Sequence, residues 1–260
     1  MRIFTFFLSL FAISLPVVSA ARSCQTSSGA ATITIVELYT SEGCDSCPPA
    51  DKWFSTLKTR DAGAILLAFH VDYWDYIGWR DSFGRAAFSL RQRESVKRQG
   101  GRVTYTPQVV LDGRDFRSWR SWDSGGEFRK SLSSIQSRPA RAQIDLAVTI
   151  NAATLDLASN VVVDNALQRN QSAVFLAITE DNLVSRVSAG ENKGVTLKHD
   201  HVVRELIGPL SLEANGKASI NRSIALGTGW KPRDLSAVIF VQDQKSGAIL
   251  QALKLPVCVS

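Results

Sequence analysis

The sequence predicts an α/β unit followed by an antiparallel β-sandwich, and three observations carry that prediction. First, the β-branched apolar run Ile33 to Tyr39 breaks at Ser41-Glu-Gly43 and reaches Cys44 and Cys47, beyond which Ala50, Trp53, Phe54 and Leu57 recur at helical spacing. Second, Ala64 to Val71 is a near-continuous apolar run, as expected of a parallel strand buried on both faces. Strand, helix and strand then make a right-handed βαβ unit. Third, the pattern changes beyond Ser137-Arg-Pro139 to short alternating strands punctuated by Asn, Gly and Asp.

Taken in order, Met1-Arg2, the apolar run Ile3 to Val18 and the small residues Val18-Ser19-Ala20 read as a secretory signal peptide over residues 1–20. No cysteine follows that cleavage site directly, which argues against a lipid anchor. Residues 21–30 are small and polar and read as an irregular lead-in. The α/β unit is expected over residues 31–137. Pro48 and Pro49 suit a first helical turn, where no intrahelical N–H is lost. The aromatic stretch Asp72 to Trp79 is too irregular for a strand. Phe83, Ala87, Leu90 and Arg91 suggest an amphipathic helix over 81–98, with Arg80, Arg85, Arg91, Arg93, Lys97, Arg98 and Arg102 as a cationic solvated face. Val103 to Leu111 is expected to be a strand, with Asp112-Gly113 turning it back through Arg114 to Trp119. Ser124-Gly-Gly-Glu127 has capping-box spacing, with Phe128, Leu132 and Ile135 following at helical intervals. The sandwich is expected over residues 138–260, with strands at 144–150, 155–157, 173–179, 218–226, 237–242 and 249–255.

The chain has 260 residues, 30 Lys and Arg against 24 Asp and Glu, and a formal charge of +6. A basic balance of this size raises nucleic acid or a membrane surface as partners. An exported chain makes nucleic acid the wrong expectation and leaves at most peripheral membrane contact. No other segment has enough consecutive apolar residues to span a bilayer, so the mature protein is expected to be soluble and periplasmic or secreted. All four cysteines, Cys24, Cys44, Cys47 and Cys258, lie beyond the leader, in a compartment where disulfides persist. Proximity favours Cys44 with Cys47. That leaves Cys24 and Cys258 near the mature termini, where they either close a staple or stay apart, Cys258 as a buried thiol and Cys24 in a mobile tail.

Two cysteines separated by two residues, closing a strand and opening a helix, stand where a dithiol redox site requires them. Cys44 is expected to be the exposed attacking thiol and Cys47 the recessed resolving one. A helix N-terminus favours thiolate. Asp45 and the two prolines, which delete backbone donors, oppose that effect, so only a modest depression of the Cys44 pKa is expected. The alternatives are a structural disulfide on a non-catalytic binding module, and a metal carrier using Cys44 and Cys47 with His199 and His201, which would share a face on a strand. The chain offers no second Cys-x-x-Cys to complete a zinc site, and neither a metal nor another cofactor is expected. His70, inside an apolar strand, reads as a core histidine. The aromatic stretch reads equally as a peptide-binding wall or as a hydrophobic anchor.

The Cys-x-x-Cys, together with Thr106-Pro107 at the start of a strand that ends in a hairpin, resembles the thioredoxin fold. That resemblance implies a thioredoxin-like domain, with Pro107 cis and beside the dithiol and Glu37 as the buried acid that moves the proton of Cys47. More narrowly, Glu37 to Asp51, Asp72 to Trp79 and Thr104-Tyr-Thr-Pro-Gln108 resemble a family of exported bacterial proteins known as domain of unknown function 1223. The expectation is therefore a thiol-disulfide oxidoreductase with Cys44, Cys47, Pro107 and Glu37 as its site and protein thiols or disulfides as its partners.

Overall fold

The computed structural model describes residues 22–57, 63–121 and 124–259. The expected signal peptide lies outside them. In chain order the first strands are β1 (Arg22–Ser27), β2 (Thr34–Thr40), β3 (Ala64–His70), β4 (Gln108–Leu111) and β5 (Arg114–Asp115). They are followed by β6 (Gln143–Ile150), β7 (Thr154–Val162), β8 (Ser172–Glu180), β9 (Leu183–Arg186) and β10 (Thr196–His199). The last are β11 (Val202–Ser211), β12 (Lys217–Ala225), β13 (Leu235–Asp243) and β14 (Ile249–Pro256). The helices are α1 (Pro48–Thr56), α2 (Ala86–Arg98), α3 (Ser124–Gln136) and the single turn α4 (Ala166–Arg169).

The result is a mixed α/β protein dominated by sheet. The βαβ unit forms as expected, because β2 and β3 pair in parallel from Thr34↔Ala64 to Thr40↔His70 with α1 between them in sequence. Strand β4 lies antiparallel to β2, opposing Gln108 to Tyr39. The Thr106–Pro107 peptide that leads into it is cis. The expected strand over 103–111 is shorter than the sequence suggests, since residues 103–107 approach β4 as irregular chain.

These strands continue into the second half of the chain. Strand β11 joins β3 in parallel at Val202↔Ala68, giving one eight-stranded sheet in the order β14-β13-β8-β11-β3-β2-β4-β5. The boundary expected at 137/138 therefore crosses an unbroken sheet. A second, four-stranded sheet, β1-β6-β7-β12, covers the far half of the first, and the expected sandwich is the overlap of the two. Alternation explains that packing. Ile144, Leu146 and Val148 of β6 and Leu155 and Leu157 of β7 face Val174, Leu176 and Ile178 of β8 and Ile239 and Val241 of β13 in one apolar core.

Residues 21–30 differ from the irregular lead-in expected. Arg22 to Ser27 pair antiparallel with β6, Cys24 opposite Val148, as an edge strand whose polar side chains mostly face solvent. Of the two arrangements left open for Cys24 and Cys258, the structure has the disulfide, which ties this edge to the last residues.

The two faces of the large sheet differ. Val36 and Leu38 of β2, with Leu66 and Ala68 of β3, pack on Ala50 and Phe54 of α1 and on Phe128 and Leu132 of α3. The intervening residues, Ile35, Tyr39, Leu67 and Phe69, pack on Phe88 of α2 with Phe175 and Phe240. Helix α2 is not the simple cationic face the sequence suggests. Arg91 is buried and Leu90 is half exposed, whereas Arg85, Arg93 and Lys97 face solvent as expected.

Candidate functional site: a buried disulfide backed by histidines and carboxylates

Strand β2 ends at Thr40, and the chain turns through Ser41 to Asp45 before α1 begins. Cys47 is the residue capping that helix, and Pro48 and Pro49 are its first two positions. Cys44 and Cys47 form a disulfide across this turn. The Ser46 hydroxyl lies 3.3 Å from Cys44 Sγ.

Burial corrects the sequence expectation. Cys44 and Cys47 are both 0 % exposed, so Cys44 is not an open attacking thiol. Two segments cover the turn. The first is the aromatic stretch. A Cβ on Gly43 would stand 3.0 Å from Trp74 Cβ and 3.3 Å from Ile77 Cδ1, so only glycine lets the two segments meet this closely. Trp74 Nε1 donates to Thr106 Oγ1 at 2.7 Å, and Trp79 Nε1 donates to Glu42 Oε2 at 2.7 Å. Trp74 thus links the cysteine turn to the Thr106–Pro107 peptide. The second cover is the β9–β10 connection. Asn192 is buried and its Nδ2 donates to the carbonyls of Glu42 at 2.8 Å and Cys44 at 2.9 Å, while Glu191 Oε2 accepts from the Asp45 amide at 3.1 Å. Gly190, at φ 70°, lies against Ile77 and Trp79 and closes the two covers on each other.

Glu37 is not behind the cysteines. It alternates with Val36 and Leu38 and therefore points to the α2 face of the sheet, away from α1. There it accepts from Arg91 Nε at 3.2 Å and from the Tyr39 hydroxyl at 2.6 Å, and forms a buried ion pair with Arg91 Nη2. Arg91 also lies over the rings of Phe175 (4.9 Å), Phe240 (5.4 Å) and Phe69 (5.5 Å). Burial, and then the Glu37 charge, push the Tyr39 phenol well above its ordinary pKa, so it remains a donor. Pro107 is buried at the entry to β4, one position before the Gln108 that opposes Tyr39.

The α1 face holds titratable groups that sequence reasoning did not assemble. Asp51, four residues after Cys47 on α1, is buried. His199, at the end of β10, places Nδ1 3.9 Å from Asp51 Oδ2 and Nε2 3.3 Å from Glu42 Oε1. His70, at the end of β3, lies 4.9 Å from His199 ring to ring, and its Nδ1 lies 2.7 Å from Asp81 Oδ2. Asp81 also accepts from the amides of Glu42 at 2.9 Å and Phe83 at 2.9 Å. Burial lowers the His70 pKa, but the Asp81 charge and hydrogen bond outweigh it, so the imidazole titrates above its ordinary value. Burial raises Asp81, and His70 with the two amides outweighs that, holding the carboxyl below its usual range. Asp51 goes the other way, pushed up by burial against the opposing charges of His199 and His70.

His199 and His201 do not share a strand face. Strand β10 ends at His199, and His201 has φ 60° and pairs with Asp181 at 3.0 Å. Among the described residues, no three His, Cys, Asp or Glu side chains converge as metal ligands. No described helix is long and apolar enough to cross a membrane.

Fold and site together define a mixed α/β protein with a buried disulfide at a strand-to-helix turn, enclosed by two loops and backed by charged groups. The chain belongs to the family described as protein of unknown function (DUF1223), whose model matches residues 35–242. Among solved structures, protein AGR_C_4864 from Agrobacterium tumefaciens is 21% identical with a TM-score of 0.61, covering 90% of this chain and 98% of that one. HBP35 of Porphyromonas gingivalis is 15% identical with a TM-score of 0.66, covering 88% of this chain and 76% of that one. Both likenesses concern the fold. Among curated proteins, none matches the chain.

Proposed function

We propose that this is an exported thiol-disulfide exchange protein whose residues 31–137, β2-α1-β3-α2-β4-β5-α3, form a thioredoxin-like unit and whose reactive pair is Cys44 and Cys47. The observation that carries the reading is the position of the pair: a disulfide spanning two residues at the mouth of a helix, with Thr106–Pro107 held to the same turn through Trp74. A partner thiolate attacks Cys44, and Cys47 is released at the N-terminus of α1. The reverse sequence oxidises a partner dithiol. Pro107 lines the approach. Because both sulfurs are covered, a protein partner has to displace the Trp74 or Asn192 cover before exchange. Protein thiols or disulfides are the substrates.

That same burial favours a second reading, in which Cys44–Cys47 is a pin in a non-catalytic binding module. Insulin reduction and oxidation of a reduced protein substrate, each with wild type and Cys44→Ser, separate the two. Loss of turnover in the variant supports exchange; equal activity in both, or none in either, leaves the structural pin.

A further inference from the structure

The exchange reading raises a chemical demand. Breaking a disulfide heterolytically leaves an electron pair on the departing sulfur. Where that sulfur is 0 % exposed, water is not there to solvate or protonate it. Glu37, the acid that sequence resemblance suggests, faces the other side of the sheet. Cys47 caps α1 in helical conformation and the Asp51 amide donates to its carbonyl at 3.1 Å, so the two residues stand one helical turn apart, a spacing that places side chains on the same face, about 5–6 Å apart at Cβ. Behind Asp51 stand buried polar atoms that make no hydrogen bond: His199 Nε2 and Glu42 Oε1, which face each other at 3.3 Å, His199 Nδ1, 3.9 Å from Asp51 Oδ2, and His70 Nε2. Unsatisfied buried polar groups cost stability, on the order of 1–3 kcal/mol each, and call for a reason.

We propose that Asp51, backed by His199 and Glu42, is an internal proton store for the Cys44/Cys47 pair, with the Asp51 carboxyl giving its proton to Cys47 when the disulfide opens. The proposal rests on the exchange reading and deepens it. The partner's thiolate bonds to Cys44 Sγ, the Cys44–Cys47 bond breaks, and the pair leaves on Cys47 Sγ, which takes the Asp51 proton. The partner's second thiol then loses its proton and attacks the mixed disulfide, releasing Cys44 as thiolate, which is protonated from the solvent admitted on its side when the partner displaced the Trp74 or Asn192 cover. The partner dithiol loses two electrons and two protons, and this pair gains two of each once Asp51 is recharged through His199. A raised Asp51 affinity for protons in the oxidised state is what burial produces. The groups that face Asp51 and set its titration are His199 from β10, His70 from β3, the Thr40 hydroxyl of β2 and Asp81 from the flanking loop, with Glu42 lying behind His199.

The test is the pH profile of Cys44–Cys47 reduction by dithiothreitol, corrected for the reagent's thiolate fraction, in wild type, Asp51→Asn, Asp51→Glu and Glu37→Gln. General acid assistance of this kind is worth about 100-fold. We expect wild type to show a falling limb as Asp51 ionises, Asp51→Asn to lose that limb with a rate about 100-fold lower on its acid side, Asp51→Glu to restore the limb, and Glu37→Gln to keep it. Superimposable profiles for wild type and Asp51→Asn overturn the proposal. Should Asp51→Asn not fold, carbon-13 titration of the Asp51 carboxyl in oxidised and reduced wild type decides. A midpoint that moves with redox state supports the store, and one that stays in the ordinary carboxylate range in both states overturns it. One equivalent of a transition metal in protein purified without chelators, lost in His70→Gln and His199→Gln, also overturns it. Inactivity on protein disulfides with an intact Asp51 limb would instead sink the exchange reading alone.

Discussion

Two groups of buried charges lie on opposite faces of the same pair of strands, and they are built differently. On the α2 face, Glu37, Arg91 and Tyr39 satisfy one another, with a carboxylate accepting from a guanidinium and a phenol and three aromatic rings around the cation. On the α1 face, Glu42, Asp51, His70, Asp81 and His199 include one well-made pair, His70 with Asp81, and several buried atoms that make no hydrogen bond. A closed network has one stable protonation state and acts as structure. An open one beside a disulfide has protons to exchange. The face of the sheet on which each carboxyl lies separates the roles of Glu37, on β2, and Asp51, on α1.

The largest effect should come from breaking the closed network. Arg91→Met leaves Glu37 buried without its cation, and a loss of about 3–5 kcal/mol in urea unfolding is expected. The double variant Glu37→Gln/Arg91→Met should recover much of that loss, because no uncompensated charge remains. A cost under about 1 kcal/mol for Arg91→Met would mean that the α2-face network is not the structural element described.

Next in size is the terminal staple. Cys24 and Cys258 are separated by 234 residues, so chain entropy allows up to about 5 kcal/mol, with about 2–4 kcal/mol typical. Cys24→Ser/Cys258→Ser should lower the unfolding midpoint by an amount in that range. The reduction profile of Cys44–Cys47 should stay unchanged, since β1 lies on the small sheet away from the site. A shifted profile would show that the two disulfides communicate.

Much of this molecule was legible in the sequence, for identifiable reasons. The βαβ unit is marked by continuous apolar runs, β6 and β7 by strict alternation, and the turn by Cys44, Cys47, Pro48 and Pro49. Strand β1 was not legible, because Arg22 to Ser27 buries little side chain and pairs with β6 mainly through its backbone. Strand β11 was missed because Gly208-Pro209 interrupts its pattern, and its single pair with β3 is a long-range event without local signal. The same limit hid the site. Asp51 and Cys47 are neighbours by helical spacing and could have been paired from the sequence. His199 and Asn192 arrive from about 150 residues away, and only the shared sheet brings them there. Glu37 was misplaced by a single position, which in a strand means the opposite face.

The smallest expected effect tests the one closed pair within the open cluster, and its sign follows from linkage. His70 titrates above its ordinary value when folded, so its contribution is fully present below the unfolded imidazole pKa of about 6.5 and is lost as pH rises through the folded value. Asp81 titrates below its ordinary value, so its contribution is present above about pH 4 and is lost as pH falls through the folded value. Asp51 has the reverse sign for a carboxyl: raised on folding, it removes stability as pH climbs from about 4 through its folded value. The ion pair therefore stabilises most between about pH 4 and 6.5, and on the alkaline side both His70 and Asp51 have stopped favouring the folded state. Urea midpoints for wild type should fall between pH 6.5 and 9 at constant m-value. His70→Gln should flatten the alkaline part of that fall, and Asp51→Asn should raise the neutral midpoint relative to wild type. The change should be well below the loss in Arg91→Met. Wild-type and His70→Gln curves that run parallel from pH 6 to 9 would mean that His70 and Asp81 do not exchange their proton with solvent in the folded protein, and the α1-face cluster would then be as closed as its counterpart across the sheet.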